Sequence, residues 1–479
     1  MFLLAILLCA ASGYLIVQLA WPRFGMSSDL LLRLSLSVGF GLGFFSVIFF
    51  VDRAVNLKHL LTLDIVCFVL LLGCHFFLRR SLMASNVPQP ATQDLVLPAW
   101  LHRILIAGFA ITVAAALYST VALAIRHPHG SGWDAFAIWN LHARFLFRGG
   151  SNWREGLSSL LPWSHPDYPL LLPAAVAHFW AYLGHENPAV PSVIGLTFTF
   201  STLGLLYSSL ARLRGDTMAS LGLITLASTP FFITQGSAQY ADVPLSFFFL
   251  ASVALRALYE QPSNHGTRQR GFIALAGIAL GFAAWTKNEG MLFLFATMFA
   301  LILAQRRFRN ESTTETADWH ALAILLLGAA PMLGVIFWFK HLAPPGDLFS
   351  SRVIMLHKML TPARYWAIFS WHAKEYFRFG EWWPIPATLL LPALALVLPR
   401  RDSGQPNPSL RLSIWTLTLT LGGYFLIYVV TPNQLYWHLR FSLNRLFLQL
   451  WPSVVFLFFS SVSLRFASQD PTQAQRNCI

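Results

Sequence analysis

Long apolar runs alternate with short polar connections along nearly the whole chain. Runs long enough to cross a bilayer, or nearly so, fall near 2–21, 28–51, 57–78, 101–125, 192–211, 217–235, 241–259, 320–341, 385–399, 411–430 and 446–466. Three shorter runs lie near 169–184, 271–286 and 290–305. The pattern predicts an all-α polytopic membrane protein with about 11–14 membrane helices. The first run, MFLLAILLCAASGYLIVQLA, has no basic segment ahead of it, and further apolar runs follow at once. It reads as an uncleaved membrane helix, not a signal peptide.

The basic connections predict orientation. Arg79, Arg80 and Arg103 flank one of them, and Arg212 with Arg214 form another. Arg268 with Arg270, then Arg306, Arg307 and Arg309, then Arg400 with Arg401 mark three more. The positive-inside rule puts all of these in the cytoplasm. Loops 126–168, 236–242, 342–384 and 431–445 then face outward. Two outward loops must be separated by an even number of spans, yet three apolar runs lie between 126–168 and 236–242. The odd one is 169–184, bracketed by Pro169 and Pro188. It reads as a re-entrant or juxtamembrane helix. The paired short runs 271–286 and 290–305 start and end in the cytoplasm, so the turn between them, Thr286 to Gly290, points outward.

Composition sharpens the class. Of 479 residues 56% are hydrophobic and 11% charged, whereas a soluble domain carries about 25% charged residues. Soluble enzyme folds, secreted disulfide scaffolds and disordered tails are excluded. The net charge of +13 is spent on loops as an orientation signal, and no basic domain with interleaved aromatics points to nucleic acid. Cys9, Cys67, Cys74 and Cys478 form no metal-ligand spacing and no disulfide framework. No Walker-type glycine loop is present, which argues against an ATP-driven pump.

Candidate chemistry sits in the outward loops. Gly130 and Gly132 precede Trp133-Asp134, and a helical run follows. Asn140, Arg144 and Arg148 fall on one side of that run and Ala135, Ile138, Phe145 and Leu146 on the other, as in a helix lying in the interface plane. Asp134 is either a catalytic carboxylate or a charge satisfying a helix N-terminus. His165-Pro166-Asp167-Tyr168-Pro169 holds a carboxylate between two prolines. It suits a sugar hydroxyl or a cation, or equally a structural turn. His165 with Asp167 also look like metal ligands, but two are too few to define a site.

Gln239-Tyr240-Ala241-Asp242-Val243-Pro244 puts a carboxylate between two strongly apolar helices, where charge is costly and usually functional. Trp285-Thr286-Lys287-Asn288-Glu289-Gly290 interrupts a run of otherwise apolar residues. Left unpaired at mid-membrane, Lys287 and Glu289 would cost roughly 2.5–3.5 kcal/mol each. They either pair with each other or line a polar cavity where Lys287 meets a phosphate. In Trp437–Arg445, His438, Ser442 and Arg445 share one helical face, and Arg440 adds a second arginine. These suit an anionic lipid head group, with snorkelling arginines as the plain alternative. The polar groups gather on one side of the membrane. A proton relay would distribute them through both halves.

The order of these motifs, an outer-loop aspartate, HPDYPLLLP, QYADVP, LGFAAWTKNEG and WHLRFSLNRLFLQLWP, resembles the GT-C superfamily of membrane glycosyltransferases. More narrowly it is similar to bacterial relatives of protein O-mannosyltransferases and aminoarabinose transferases. The resemblance covers roughly 101–305 and, less fully, 431–452. It divides the chain into added N-terminal helices (1–100), a GT-C-like catalytic membrane module (101–305) and C-terminal membrane helices with outer loops (306–479). It implies a GT-C-type helix bundle with juxtamembrane helices in its outer loops. The implied reaction is inverting transfer from a polyprenyl-phosphate-linked sugar, without a nucleotide sugar, to an acceptor hydroxyl. The acceptor is a glycan, a lipid or a protein. The implied location is the periplasmic face of a bacterial inner membrane.

By position, the resemblance makes Asp134 the general base and Asp242 a second catalytic carboxylate, which helps shape the donor or acceptor site. Asp167 falls where relatives vary, and Lys287 and Arg445 are the candidates for the donor phosphate. His165, Tyr240, Glu289, His438, Arg440 and Arg144 are further candidate substrate-binding residues. Asp134, Asp167 and Asp242 are candidate ligands for a divalent cation. The chemistry is coherent: a lipid phosphate leaves as a stabilised anion, so one base and nearby cations suffice, whereas glycosidases normally need a carboxyl pair. The competing readings are a lipid-linked sugar flippase or transporter and a structural subunit of an envelope complex.

Overall fold

The structure, a computed structural model, describes residues 1–21, 29–81, 97–260, 270–310, 319–346, 352–382, 387–397 and 408–462. Arg268, Arg400, Arg401 and Cys478 lie outside the described residues. Among the described residues the fold is helical, with no strand: α1 (Phe2–Ala20), α2 (Leu30–Val55), α3 (Leu60–Ser81), α4 (Ala99–Arg126), α5 (Asn140–Arg148), α6 (Leu171–Leu183), α7 (Ala189–Arg214), α8 (Asp216–Ala227), α9 (Pro230–Ser237), α10 (Asp242–Tyr259), α11 (Arg270–Thr286), α12 (Asn288–Asn310), α13 (Trp319–Leu342), α14 (Arg352–Met359), α15 (Pro362–Tyr376), α16 (Ala387–Val397), α17 (Pro408–Val430) and α18 (Leu435–Ser461). Nine of the described helices are long and apolar enough to cross a membrane, or up to ten if the bent α8–α9 pair is one span. The chain is an all-α polytopic membrane protein.

The run at 217–235, expected as a single span, is two helices. α8 stops before Thr229, and α9 starts at Pro230 and turns by 66°. Proline lacks the N–H to continue a helix and pushes the residue before it out of the α region, and Thr229 is extended with ψ 104°.

The centre of the bundle is α10, whose residues are all buried. Phe247 and Phe248 pack edge-on with each other and with Phe198 of α7, and Phe249 stacks on Phe293 of α12. Lipid offers no hydrophobic drive between helices, so close packing of small residues does more of the work. At the α11–α13 crossing a Cβ on Gly277 would come within 2.1 Å of the Leu325 carbonyl oxygen, and one on Gly328 within 2.4 Å of that of Ala274. Only glycine permits that approach.

The polar connections share one end of the bundle. Trp153, in the 127–170 loop, donates its Nε1–H to the Arg53 carbonyl at the end of α2 (3.1 Å). α6 begins at that end and returns to it, because Glu186 just beyond it pairs with both Arg144 (3.3 Å) and Arg148 of α5. It is the short helix expected from parity. At the opposite end Arg212 pairs with Asp29, and Arg214 donates to the carbonyls of Ser460 and Val462. The arginine-marked and carboxylate-bearing ends are thus distinct.

Candidate functional site

The two glycines before Asp134 shape its approach. Gly130 and Gly132 have φ of +86° and +125°, and a Cβ on Gly132 would lie 2.6 Å from the Tyr240 hydroxyl. Glycine alone fits both the backbone and the space. A π-helical turn, Ala135–Trp139, follows Asp134 and leads into α5. Gln239 ties this loop to the turn between α9 and α10. It accepts from Asn140 Nδ2 (2.7 Å) and donates to the Pro128 carbonyl (2.9 Å) and Ser192 Oγ (2.8 Å). Gln239 itself has φ +63°.

Five charged side chains from four parts of the chain then form one line. Arg445 of α18 donates through Nη1 to Asp134 Oδ2, and its Nε lies 3.4 Å from Asp242 Oδ2. Asp242, the first residue of α10, also accepts from Lys287 Nζ (3.1 Å) and Gln449 Nε2 (2.6 Å). Lys287, in the break between α11 and α12, reaches Glu289 Oε1 at 2.8 Å. Gln449 is itself oriented by Tyr424, which donates to its Oε1 (2.7 Å). Exposure is least in the middle of the line and rises toward both ends: the Asp242 side chain is 2% exposed, that of Glu289 13% and that of Asp134 20%. Fully buried carboxylates need several partners to stay charged, and Asp242 has three. Arg445 contacts Oδ2 of Asp134, and among the described residues Oδ1 has no partner.

Aromatic groups wall the line. The Arg445 guanidinium lies over the Tyr240 ring (5.1 Å) and the Lys287 ammonium near the Tyr168 ring (5.9 Å). Tyr168 stacks on His165 at 4.6 Å and on Trp139 at 5.8 Å. Burial, with the Asp134 charge next, raises the Tyr240 phenol above its usual range, and burial with the nearby Glu289 and Asp167 raises Tyr168 further. Both remain neutral hydrogen-bonding groups.

Asp167 joins from the side. Its Oδ2 accepts from Asn288 Nδ2 (2.8 Å), and Lys340 at the end of α13 donates to the Asp167 carbonyl (2.6 Å) and to Asn288 Oδ1 (2.8 Å). His438 lies beyond Arg445, two turns up α18. Its Nδ1 is 2.8 Å from Thr431 Oγ1, and its ring packs against Tyr428 at 4.9 Å. Two candidates lie elsewhere. Arg144 is held by Glu186, and Arg440 is exposed with its guanidinium over Phe441.

Asp134, Asp167 and Asp242 are each engaged by cationic or amide groups, and among the described residues no three His, Cys, Asp or Glu side chains stand together as metal ligands. Gln449, Tyr424, Asn288 and Lys340 are additions that motif reading missed. Gln449 was findable, since it lies one turn after Arg445 on the same face, in the otherwise apolar stretch Leu446–Pro452. Lys340 looks in sequence like any basic residue ending a span.

Fold and site together define a multi-pass membrane protein with a charged cluster at one end of its helices. Residues 194–342 match the family model described as dolichyl-phosphate-mannose-protein mannosyltransferase. That signature supports assignment to the GT-C superfamily of membrane glycosyltransferases, acting with a lipid-linked donor. The matched stretch contributes Asp242, Lys287, Asn288, Glu289 and Lys340 to the cluster, while Asp134, Asp167, His438 and Arg445 come from outside it. No curated protein and no solved structure matches the chain.

Proposed function

We propose that this protein transfers a sugar from a polyprenyl-phosphate donor to an acceptor hydroxyl, with inversion, at the carboxylate-bearing end of the bundle. That end faces the periplasm of a bacterial inner membrane, as the arginines at the opposite end favour. The supporting observation is the graded line Asp134–Arg445–Asp242–Lys287–Glu289. One end of it is a partly exposed carboxylate whose Oδ1 has no partner among the described residues, and its middle is a buried carboxylate with three partners.

In this reading Asp134 Oδ1 takes the proton of the acceptor hydroxyl as its oxygen bonds the anomeric carbon. The bond from that carbon to the phosphate oxygen breaks in the same step, and polyprenyl phosphate leaves with the electron pair. Arg445 holds the carboxylate in place. Asp242 touches no reacting atom; it positions Arg445 and Lys287. The family description suggests mannose and a protein acceptor; the cluster itself favours no particular sugar. The transporter reading finds no observation in its favour.

The test is mass spectrometry of lipid-linked sugars and envelope glycans in cells with and without the gene, complemented by wild type or Asp134→Ala. Loss of one glycan with accumulation of a polyprenyl-phosphate sugar, unrescued by folded Asp134→Ala, is expected. Full rescue by Asp134→Ala would refute the assignment of the base.

A further inference from the structure

The cations of the central line are already neutralised. Lys287 contacts two carboxylates, Arg445 two and Lys340 one. Counting the cluster, four carboxylates (Asp134, Asp167, Asp242, Glu289) face three cations (Lys287, Lys340, Arg445). An arriving phosphate would meet net negative charge there. A different pair of cations stands free of carboxylates on α14 and α15.

Lys358 Nζ donates to the Thr431 carbonyl (2.6 Å). Arg364 donates through Nε to the Val429 carbonyl (3.0 Å) and through Nη2 to that of Tyr428 (3.1 Å). Neither has a carboxylate partner among the described residues. The C-terminal end of α17 explains why cations gather there. It leaves two ammonium and three guanidinium hydrogens unused. The two cations also sense each other: burial and then the charge of Arg364 lower the Lys358 pKa.

The surroundings fit a lipid. Val353, Leu356, Leu360, Trp366 and Phe369 of the same segment are exposed apolar side chains, and cations beside an apolar face match an anionic lipid at an interface. The pair also connects to the central line. Thr431, whose carbonyl holds Lys358, bonds His438 through its Oγ1, and the Tyr428 hydroxyl lies 2.7 Å from Ser442 Oγ, one turn before Arg445.

We propose that Lys358 and Arg364 capture the phosphate of the polyprenyl-phosphate lipid at the membrane surface, with the prenyl chain along the apolar face of α14 and α15, before the sugar reaches Asp134. The identity of the lipid rests on the transferase reading above; the binding site can be tested without turnover.

The experiment uses the full chain in phosphatidylcholine nanodiscs, with a sugar-free polyprenyl phosphate as probe and phosphatidylglycerol as competitor. The double variant Lys358→Gln, Arg364→Gln should bind the probe at least ~10-fold more weakly, the loss of two charge-assisted contacts. In turnover it should raise the donor KM and leave kcat within about twofold. The charge-keeping variant Lys358→Arg, with Arg364 intact, should bind like wild type, which separates charge loss from misfolding. Unchanged probe binding by a folded glutamine variant would overturn the proposal. So would displacement of the probe by phosphatidylglycerol mole for mole, which would make the patch a general anionic-lipid surface. Retained transfer in Asp134→Ala with weakened binding in the glutamine variant would instead refute the proposed base and leave this site standing.

Discussion

Lys287 Nζ and Asp242 Oδ1 lie 3.1 Å apart, with both side chains almost fully buried. The pair joins the break between α11 and α12 to the start of α10, the fully buried helix that packs against α7, α11 and α18. Removing Lys287 leaves the buried Asp242 to Arg445 and Gln449 and takes the cation from Glu289, and an under-compensated buried charge is costlier than removing both members of the pair. Lys287→Met should therefore destabilise the protein by about 3–5 kcal/mol. Adding Asp242→Asn should recover part of that loss, a non-additivity expected only of contacting groups. Thermal melts of the purified variants in detergent check both. Additive losses would mean that the pair is not coupled.

Arg445 bridges two carboxylates through different nitrogens, Nη1 to Asp134 and Nε toward Asp242. Lysine carries the same charge as a single point and cannot span both. Arg445→Lys should keep most of the thermal stability and lower kcat by roughly 100-fold, because Asp134 loses its orientation. A variant with wild-type kcat would show that charge alone is needed there.

A second buried polar group lies away from this cluster. Asp64 of α3 accepts at Oδ2 from Tyr182 (2.5 Å) and contacts His178 Nε2 (2.9 Å), both on α6, and the His178 and Asp64 side chains are completely buried. This joins the N-terminal helices to the helix that follows Asp167 and Tyr168. Asp64→Ala leaves the buried His178 without its partner, at a cost of about 1–3 kcal/mol, and the half-buried Tyr182 hydroxyl without its acceptor at a smaller one. Asp64→Asn keeps an acceptor oxygen and should lose less. Equal melting shifts for the two variants would argue that volume, not hydrogen bonding, matters at this position.

Much of this architecture was legible as periodicity, and the pairing of charges was not. Apolar run lengths and basic loops predict which ends share a side, and parity alone singles out α6. The face shared by His438, Ser442 and Arg445 follows from helical spacing. The same spacing explains why Arg440 points elsewhere: five residues at 100° each place it about 140° from Arg445 around the helix. Partnership is a different matter. Asp134 and Arg445 are 311 positions apart, and nothing local in either motif selects the other. Likewise Lys287 could be read as pairing with Glu289 or lining a cavity; the structure has it bonded to Glu289 and to Asp242 together. The break at Pro230 was visible as a residue but was hidden by an uninterrupted apolar run.

The loop that carries Asp134 should respond to acid through His142. This histidine lies on α5, is 2% exposed, and has its Nε2 3.4 Å from Ser164 Oγ. Burial, reinforced by the charge of nearby His165, lowers its pKa from 6.5 to about 4. The sign follows directly. Above pH 6.5 folded and unfolded chains both carry the neutral ring, and stability does not depend on this group. Between 6.5 and about 4 the unfolded chain binds the proton and the folded one does not, so stability falls as pH falls. Below about 4 both are protonated and the loss levels off, having reached about 3 kcal/mol. Melting temperatures of wild type and His142→Gln, each measured at pH 7.5, 5.5 and 4.5, check this. The glutamine variant should start lower at pH 7.5 and lose less on acidification. Parallel curves for the two proteins would assign the acid sensitivity to other groups.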